Sequence, residues 1–350
     1  MSAAEDRSEN IRLLRDSAAA IIPADYRRIR ALRFTDPGFD RAVWQEMCDM
    51  GWAAVRVPEA QGGSGLGVAE YCALAEALGR GLVPEPFIGA VTAASVLSGA
   101  ALAEAISGAS VILPAWQERA NTIDCAGDTT VSGGRANGRK MFIAQAGGAD
   151  AFVVSGRDGV ALVARDAAGV SLSIERTQDG GSFGTLTLDN AACTPLAGDM
   201  AAALEEASLA TGAYLLGVMD RVFSMTLDYM RTRQQFGRAI GSFQALQHRA
   251  ADLKIQVALT RASVEAAAVT LDTSQHPAVR QAAVSRAKAR AAEAAMLVTR
   301  QCIQLHGGIG YTDEADAGLF LRKAMVLSSL HGGAALHRAR YAAVAPDDDE

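Results

Sequence analysis

No Cys-x-x-Cys pair occurs in this 350-residue chain, and its five cysteines (Cys48, Cys72, Cys125, Cys193 and Cys302) are scattered. That pattern argues against zinc ribbons and thiol exchange, and each cysteine reads as a small buried hydrophobe. The five histidines lack ligand spacing as well. His331 and His337 stand six apart, neither i,i+3 nor i,i+4 on a helix, so no metal is expected. No stretch approaches the roughly 18 uncharged apolar residues that span a bilayer, because even the Ala-rich segments carry Glu or Arg every few positions. Membrane insertion is therefore not expected. Basic residues are outnumbered, 33 Lys and Arg against 39 Asp and Glu, for a net charge of −6. Such a balance offers no positive field to phosphate backbones or anionic lipid, so nucleic acid is not an expected partner. The opening Met1–Asn10 is acidic and polar without a basic start or an apolar core, and a cytoplasmic location is expected. No internal repeat is evident.

Half of the residues are hydrophobic and 21% are charged, enough in 350 residues to bury more than one core. Residues 1–109 read as helical, with apolar positions at helical spacing in Val68–Gly79 and in the Ala-rich stretch Val91–Ile106. Between them, the glycines of Val57–Gly67 are irregularly spaced and no βαβ unit surrounds them. They read as a connection in which Ser64 or Gly65 starts the next helix, not as a nucleotide loop. Residues 110–197 change character. Short β-branched or alternating runs (Val111–Pro114, Arg139–Ile143, Ala151–Ser155, Val160–Val163 and Thr185–Asp189) are separated by Gly, Asn and Asp clusters, the pattern of a compact antiparallel barrel or sandwich. Residues 198–345 return to long helices: Leu204–Arg233, Ser242 to about Leu271 with Ser242 as cap, and Pro277–Leu305 stopped by Gly307-Gly308. Helices of this length suit a bundle that also makes subunit contacts. Residues 346–350 form an acidic tail.

The run Arg231-Thr-Arg-Gln-Gln-Phe-Gly-Arg238, then Gly241-Ser-Phe-Gln-Ala-Leu-Gln-His-Arg249, places arginines at a helix end ahead of an aromatic, amide-lined second helix. Together with Gln304-Leu-His-Gly-Gly-Ile-Gly-Tyr311 it resembles the C-terminal half of the acyl-CoA dehydrogenases, flavoproteins that oxidise acyl-CoA thioesters between Cα and Cβ. Met50-Gly-Trp-Ala-Ala-Val-Arg-Val-Pro-Glu59 and Ala75-Glu-Ala-Leu-Gly-Arg80 before Pro84-Glu-Pro-Phe87 resemble the family's opening helices, so the likeness covers essentially the whole chain. It implies an α+β fold: an N-terminal α-helical domain, a middle β-barrel or sandwich domain and a C-terminal four-helix-bundle domain. It also implies FAD as cofactor. Arg233 would reach the diphosphate of a neighbouring subunit through its planar fork, Phe236 would flank the cofactor and Gln244 would hydrogen-bond it. Gln304 and the backbone at Gly308 would meet the adenine half across a subunit interface, where glycine permits close approach.

Other positions depart from the family. Its first β strand carries Thr or Ser, Glu and a Gly-Ser-Asp turn, but Leu113–Asn121 here lacks that turn. Its Lys-Met-Trp-Ile-Thr-Asn strand, with a threonine hydroxyl near flavin N5, is Lys140-Met-Phe-Ile-Ala-Gln145. Phe142 keeps an aromatic ring, whereas the Ala144 side chain has no donor. The family's general base is a glutamate before a glycine near the C-terminus. Ser328-Ser-Leu-His-Gly-Gly-Ala334 puts His331 there, and a histidine can serve as base near neutral pH. Some members take the glutamate from the start of the long helix after the β domain. Glu206 lies near that point, although an ungapped count places Ala207 there, with Ser208 where an arginine usually follows.

The altered positions are those a subunit supplies to its own site, and the retained ones are those it supplies to a neighbour. This asymmetry resembles the degenerate subunits of heterotetrameric α2β2 acyl-CoA dehydrogenases of bacterial steroid side-chain degradation. The expected partners are an acyl-CoA substrate, a homologous acyl-CoA dehydrogenase subunit or a second copy of this chain, and electron-transferring flavoprotein as acceptor. Two alternatives stay open: a self-sufficient homo-oligomer using Glu206 or His331 as base, and a flavin-free structural homologue.

Overall fold

The structure is a computed structural model that describes residues 3–22 and 25–345, so the acidic tail at 346–350 lies outside the described residues. Helices α1 (Ala3–Ile21), α2 (Arg27–Leu32), α3 (Arg41–Asp49), α4 (Val68–Arg80), α5 (Phe87–Ala94) and α6 (Gly99–Ile106) come first. Strands β1 (Ile112–Ala115), β2 (Thr130–Ser132), β3 (Arg135–Ala144), β4 (Ala151–Gly156), β5 (Gly159–Ala164), β6 (Val170–Arg176), β7 (Ser182–Ala192) and β8 (Thr194–Leu196) follow. Helix α7 (Met200–Thr232), strands β9 (Gln234–Gln235) and β10 (Arg238–Ala239), and helices α8 (Gln244–Thr273), α9 (Pro277–His306), α10 (Ala317–Leu327) and α11 (Ala334–Ala342) complete the chain. Helices, then sheets, then long helices is the α+β order expected.

By contact the chain forms two compact units, and these interleave along the sequence. One comprises Arg27–Tyr71 and Pro84–Ala207; the other comprises the described residues up to Tyr26, Cys72–Val83, and the described residues from Ser208 onward. The first, mixed unit holds two four-stranded sheets, ordered β1-β4-β5-β8 and β2-β3-β7-β6. Ladder pairs within them are antiparallel except β1 with β4, which is parallel, so a purely antiparallel arrangement is corrected. The reason is topological: β2 and β3 intervene between β1 and β4 and provide the long connection that a parallel pair requires. Leu97, Leu102, Ile112, Trp116, Val153, Met200 and Leu204 are buried together in this unit's core. At the glycine-rich stretch, a Cβ on Gly63 would lie 2.1 Å from the Val57 carbonyl oxygen, because the backbone folds onto itself there. Helix α4 begins at Val68, not at Ser64 or Gly65; the Ser64 amide instead donates to the Ala54 carbonyl.

In the helical unit α9 starts at Pro277 in its first turn and stops at Gly307, whose φ of 68° suits glycine. Ser242 does not cap α8. Its hydroxyl donates to the Ala239 carbonyl inside a short 3₁₀ turn, and Phe243 occupies the cap position. Helices α4 and α7 meet backbone to backbone. A Cβ on Gly217 would stand 2.0 Å from the Glu76 carbonyl oxygen, and one on Gly79 would stand 2.1 Å from that of Tyr214. Overpacking here has no flexible neighbour to absorb it. Gly217→Ala is expected to lower stability by about 1–3 kcal/mol, read as a reduced urea midpoint. An unchanged midpoint would mean that the helices can separate at no cost.

Candidate functional site

The end of α7 leads directly into a β-hairpin. Gln234–Gln235 pair antiparallel with Arg238–Ala239, and Phe236 and Gly237 form the two-residue tip with φ of 54° and 78°. Left-handed backbone at both tip residues is the geometry that matches strand twist, and glycine supplies half of it without strain. The tip points its ring outward: Phe236 is 92% exposed. Below it, Phe243 packs edge-on to Phe236 at 6.2 Å, and the Arg238 guanidinium lies 4.1 Å over the Phe243 ring centroid. Arg231 pairs with Asp228, whereas the exposed Arg233 side chain has no hydrogen bond or ion pair among the described residues. It is a free cation on a fixed backbone, because its carbonyl accepts from the Ile240 amide. Gln244, the first residue of α8, is exposed.

Gln304 and Gly308 belong to the same end of the bundle. Tyr229 of α7 stacks on His306 at the last turn of α9, with ring centroids 4.6 Å apart, which ties the segment before the hairpin to the segment containing Gln304–Gly308. Gln304 is exposed and accepts from the Tyr311 hydroxyl at 3.4 Å. A Cβ on Gly308 would meet nothing within 4 Å, and its backbone is not left-handed. The fold itself gives no reason for glycine at 308. Arg233, Phe236, Gln244, Gln304 and Gly308 thus share one exposed end of the helical unit, with an unpaired guanidinium, an aromatic ring, two amides and bare backbone. This set suits a dinucleotide: the fork for phosphate, amides for base and ring edges, and glycine for close approach.

The two base candidates are placed differently. His331 is 5% exposed, adopts φ of 57°, and its Nδ1 lies 2.9 Å from Thr211 Oγ1. Burial first, and then the neighbouring Lys288 and His337 groups, pushes His331 down to about 3. His337, also buried, is pushed down to about 4, mainly by burial. Both imidazoles are therefore neutral over the physiological range. Because their folded values lie below the ordinary 6.5, the unfolded chain binds protons first. Stability is then greatest above pH 6.5 and falls as pH drops from there toward 4 and 3, by up to about 1.4 kcal/mol per pH unit for each group. A histidine NMR titration checks this; a His331 resonance titrating near 6.5 would contradict it. Glu206 is likewise engaged. Both of its oxygens accept from Arg56, from Nη2 and Nε at 2.8 Å each, in a partly buried bidentate pair. Ala207 and Ser208 are fully buried.

In the mixed unit, the register of β3 against β7 shifts between Lys140 and Ile143, and Phe142 sits on that bulge with φ of 57°. Its ring meets Phe183 edge-on at 6.1 Å. Ala144 contributes only a methyl group, and the Gln145 amide donates to the Pro84 carbonyl. Where the Gly-Ser-Asp turn is missing, Glu118 organises the chain. Its carboxylate accepts from the amides of Asp128 at 2.5 Å and Thr129 at 2.9 Å and from the fully buried Lys140 Nζ at 2.6 Å. Burial raises Glu118, but the Lys140 and Thr129 hydrogen bonds outweigh it and hold the group at about 2. The pair is ionised.

Sequence reasoning missed Lys288, Thr211 and His337. Lys288 sits in an Ala-rich helix where a lone lysine reads as solvated, and the six-residue spacing of His331 and His337 speaks in sequence only against metal ligation. Their proximity comes from a Gly332-Gly333 turn, which is the signal that could have paired them.

Helices at the start, sheets in the middle and a long-helix bundle at the end define the α+β architecture of an oxidoreductase of the acyl-CoA dehydrogenase type. The acyl-CoA dehydrogenase N-terminal domain matches residues 8–107 and the acyl-CoA dehydrogenase C-terminal domain matches residues 196–345, so the chain belongs to the acyl-CoA dehydrogenase family. It is 31% identical over 341 residues to acyl-CoA dehydrogenase IpdE2 of Mycobacterium tuberculosis (strain ATCC 25618 / H37Rv), covering 94% of this chain and 93% of that protein. Among solved structures it is similar to the Tcur3481-Tcur3483 steroid ACAD, in a variant form, with TM-score 0.87 and 28% identity over 98% of both chains. The ChsE4-ChsE5 complex from Mycobacterium tuberculosis has TM-score 0.85 and 28% identity over 99% of both chains. No helix among the described residues is long and apolar enough to cross a membrane.

Proposed function

We propose that this chain is the site-completing, non-catalytic subunit of a heteromeric acyl-CoA dehydrogenase, oxidising a bulky acyl-CoA, of the sterol side-chain class, between Cα and Cβ. Arg233, Phe236, Gln244, Gln304 and Gly308 would hold part of an FAD bound in the catalytic partner. FAD, when bound, supplies the hydride acceptor for the oxidation, with electron-transferring flavoprotein as the onward acceptor. The observation that carries this reading is an asymmetry. The groups suited to a neighbour's dinucleotide are exposed, and the arginine among them is unpaired. Those needed for chemistry in this chain's own site are buried, ion-paired or without a donor: His331, Glu206 and Ala144. Solved relatives described as two-protein assemblies support it. So does α8, whose outer side presents Ile255, Leu259 and Val269 at 53%, 52% and 47% exposure, a face suited to burial against a second subunit.

The test is the visible flavin absorbance and acyl-CoA-dependent dye reduction of this chain purified alone and with a homologous catalytic subunit. The expected result is a colourless, inactive lone chain and a yellow, active mixture. Stoichiometric flavin and turnover in the lone chain would overturn the reading and return attention to Glu206 and His331. Absence of colour in both would favour the flavin-free homologue.

A further inference from the structure

Lys288 lies midway along α9 and is fully buried. Burial pushes its amine down to about 7, and three carbonyls stand within hydrogen-bond reach of Nζ: Gly332 at 2.9 Å, Ser328 at 3.2 Å and Leu327 at 3.4 Å. Leu327 ends α10 and Ser328 is its C-cap, so two of these acceptors are carbonyls left without partners by the helix end, at its negative pole. The third lies beyond the turn. Lys288 therefore bridges both ends of the 328–333 connection from inside the unit. His337, in α11, donates from Nε2 to the His331 carbonyl at 2.8 Å, and its own amide donates to Gly333. Thr211, in α7, holds the His331 imidazole. The turn between them is left-handed at His331 and at Gly332, where φ is 93°. A Cβ on Gly332 would come within 2.8 Å of Leu336 Cδ2 and 3.0 Å of His337 Nε2. A non-glycine residue in left-handed backbone costs on the order of 1–3 kcal/mol and persists only where its surroundings over-determine it.

We propose that Lys288, with Thr211 and His337, is an internal latch that fixes the 328–333 connection and keeps the side chain of residue 331 turned into the helical unit. Lys288 is a positioning residue: its Nζ hydrogen-bonds to backbone carbonyls and acts through the turn. The latch makes residue 331 a plug in the fold and withholds it from any reacting group. It deepens the reading above by explaining how this chain is silent as a base, yet it concerns the lone chain only. A failed partner-flavin experiment would leave it untouched.

The test is made on the full chain. In the wild type, His331 is expected to resist diethyl pyrocarbonate at neutral pH while the exposed His248 and His276 react, and amides 328–334 are expected to be protected from hydrogen exchange. Lys288→Met is expected to speed exchange in that peptide roughly tenfold or more, leave peptides of the β sheets unchanged, and make His331 reactive. Thr211→Val is expected to raise His331 reactivity with little change in exchange, since Lys288 still holds the backbone. Wild-type His331 reacting as fast as His248 overturns the latch, as does a folded K288M chain with unchanged exchange at 328–334. If K288M does not fold, T211V decides, and no gain in His331 reactivity there overturns the proposal.

Discussion

Arg233→Gln in this chain, co-purified with a catalytic partner, is expected to leave the assembly intact but weaken its hold on FAD by roughly 10–100-fold, since one charge-assisted hydrogen-bonding group is worth about 1.5–3 kcal/mol. The physical basis is the state of the arginine before any ligand arrives. Its guanidinium is exposed and has no carboxylate to leave, while its backbone is held by the hairpin closure to Ile240. The backbone is already ordered and no ion pair has to be broken, so only ordering of the side chain, about 0.5–1.5 kcal/mol, opposes the phosphate interaction. Arg231→Gln is the matched control, because Arg231 already pairs with Asp228. Flavin-to-protein ratios after gel filtration read both. Equal retention of flavin by R233Q and wild type would remove Arg233 from the cofactor.

Glu118→Leu should produce the largest loss of stability in the mixed unit, about 3–5 kcal/mol, because it leaves the Lys140 ammonium buried without its counter-charge. Lys140 is fully buried, and its other acceptor is the Trp116 carbonyl at 3.1 Å. The change also takes the acceptor from the Asp128 and Thr129 amides. Removing both charges as Glu118→Leu with Lys140→Met is expected to recover part of the loss, since an apolar pair of similar volume avoids the desolvation term. Urea unfolding of the two variants measures the difference. A single variant within 1 kcal/mol of wild type would show that water already screens the pair.

Much of the candidate site was legible because its signals are local. The arginines and Phe-Gly stand between two helical patterns, and the structure makes that connection a two-residue hairpin with Phe236 at the tip. Pro277 and Gly307 bracket α9 because each constrains its own backbone angles. Ser242 misled for a related reason. A hydroxyl near a helix start is a good cap by composition, but a 3₁₀ turn places it one residue early, and it bonds backward to Ala239.

The sequence by itself therefore determined the order of helices and sheets, the ends of α9 and the residue types clustered at the end of the bundle. Tertiary structure alone decided what the base candidates are doing. Thr211 and His331 are 120 positions apart, Arg56 and Glu206 are 150 apart, and Lys288 reaches carbonyls 39 to 44 residues downstream. Periodicity and capping report angles over a few neighbouring residues, whereas whether an imidazole faces solvent or a hydroxyl depends on which distant helix packs beside it. The same letters, His before Gly-Gly, would suit a base on an open loop or a plug in a closed one, and burial selects between them because desolvation removes the proton affinity that a base requires.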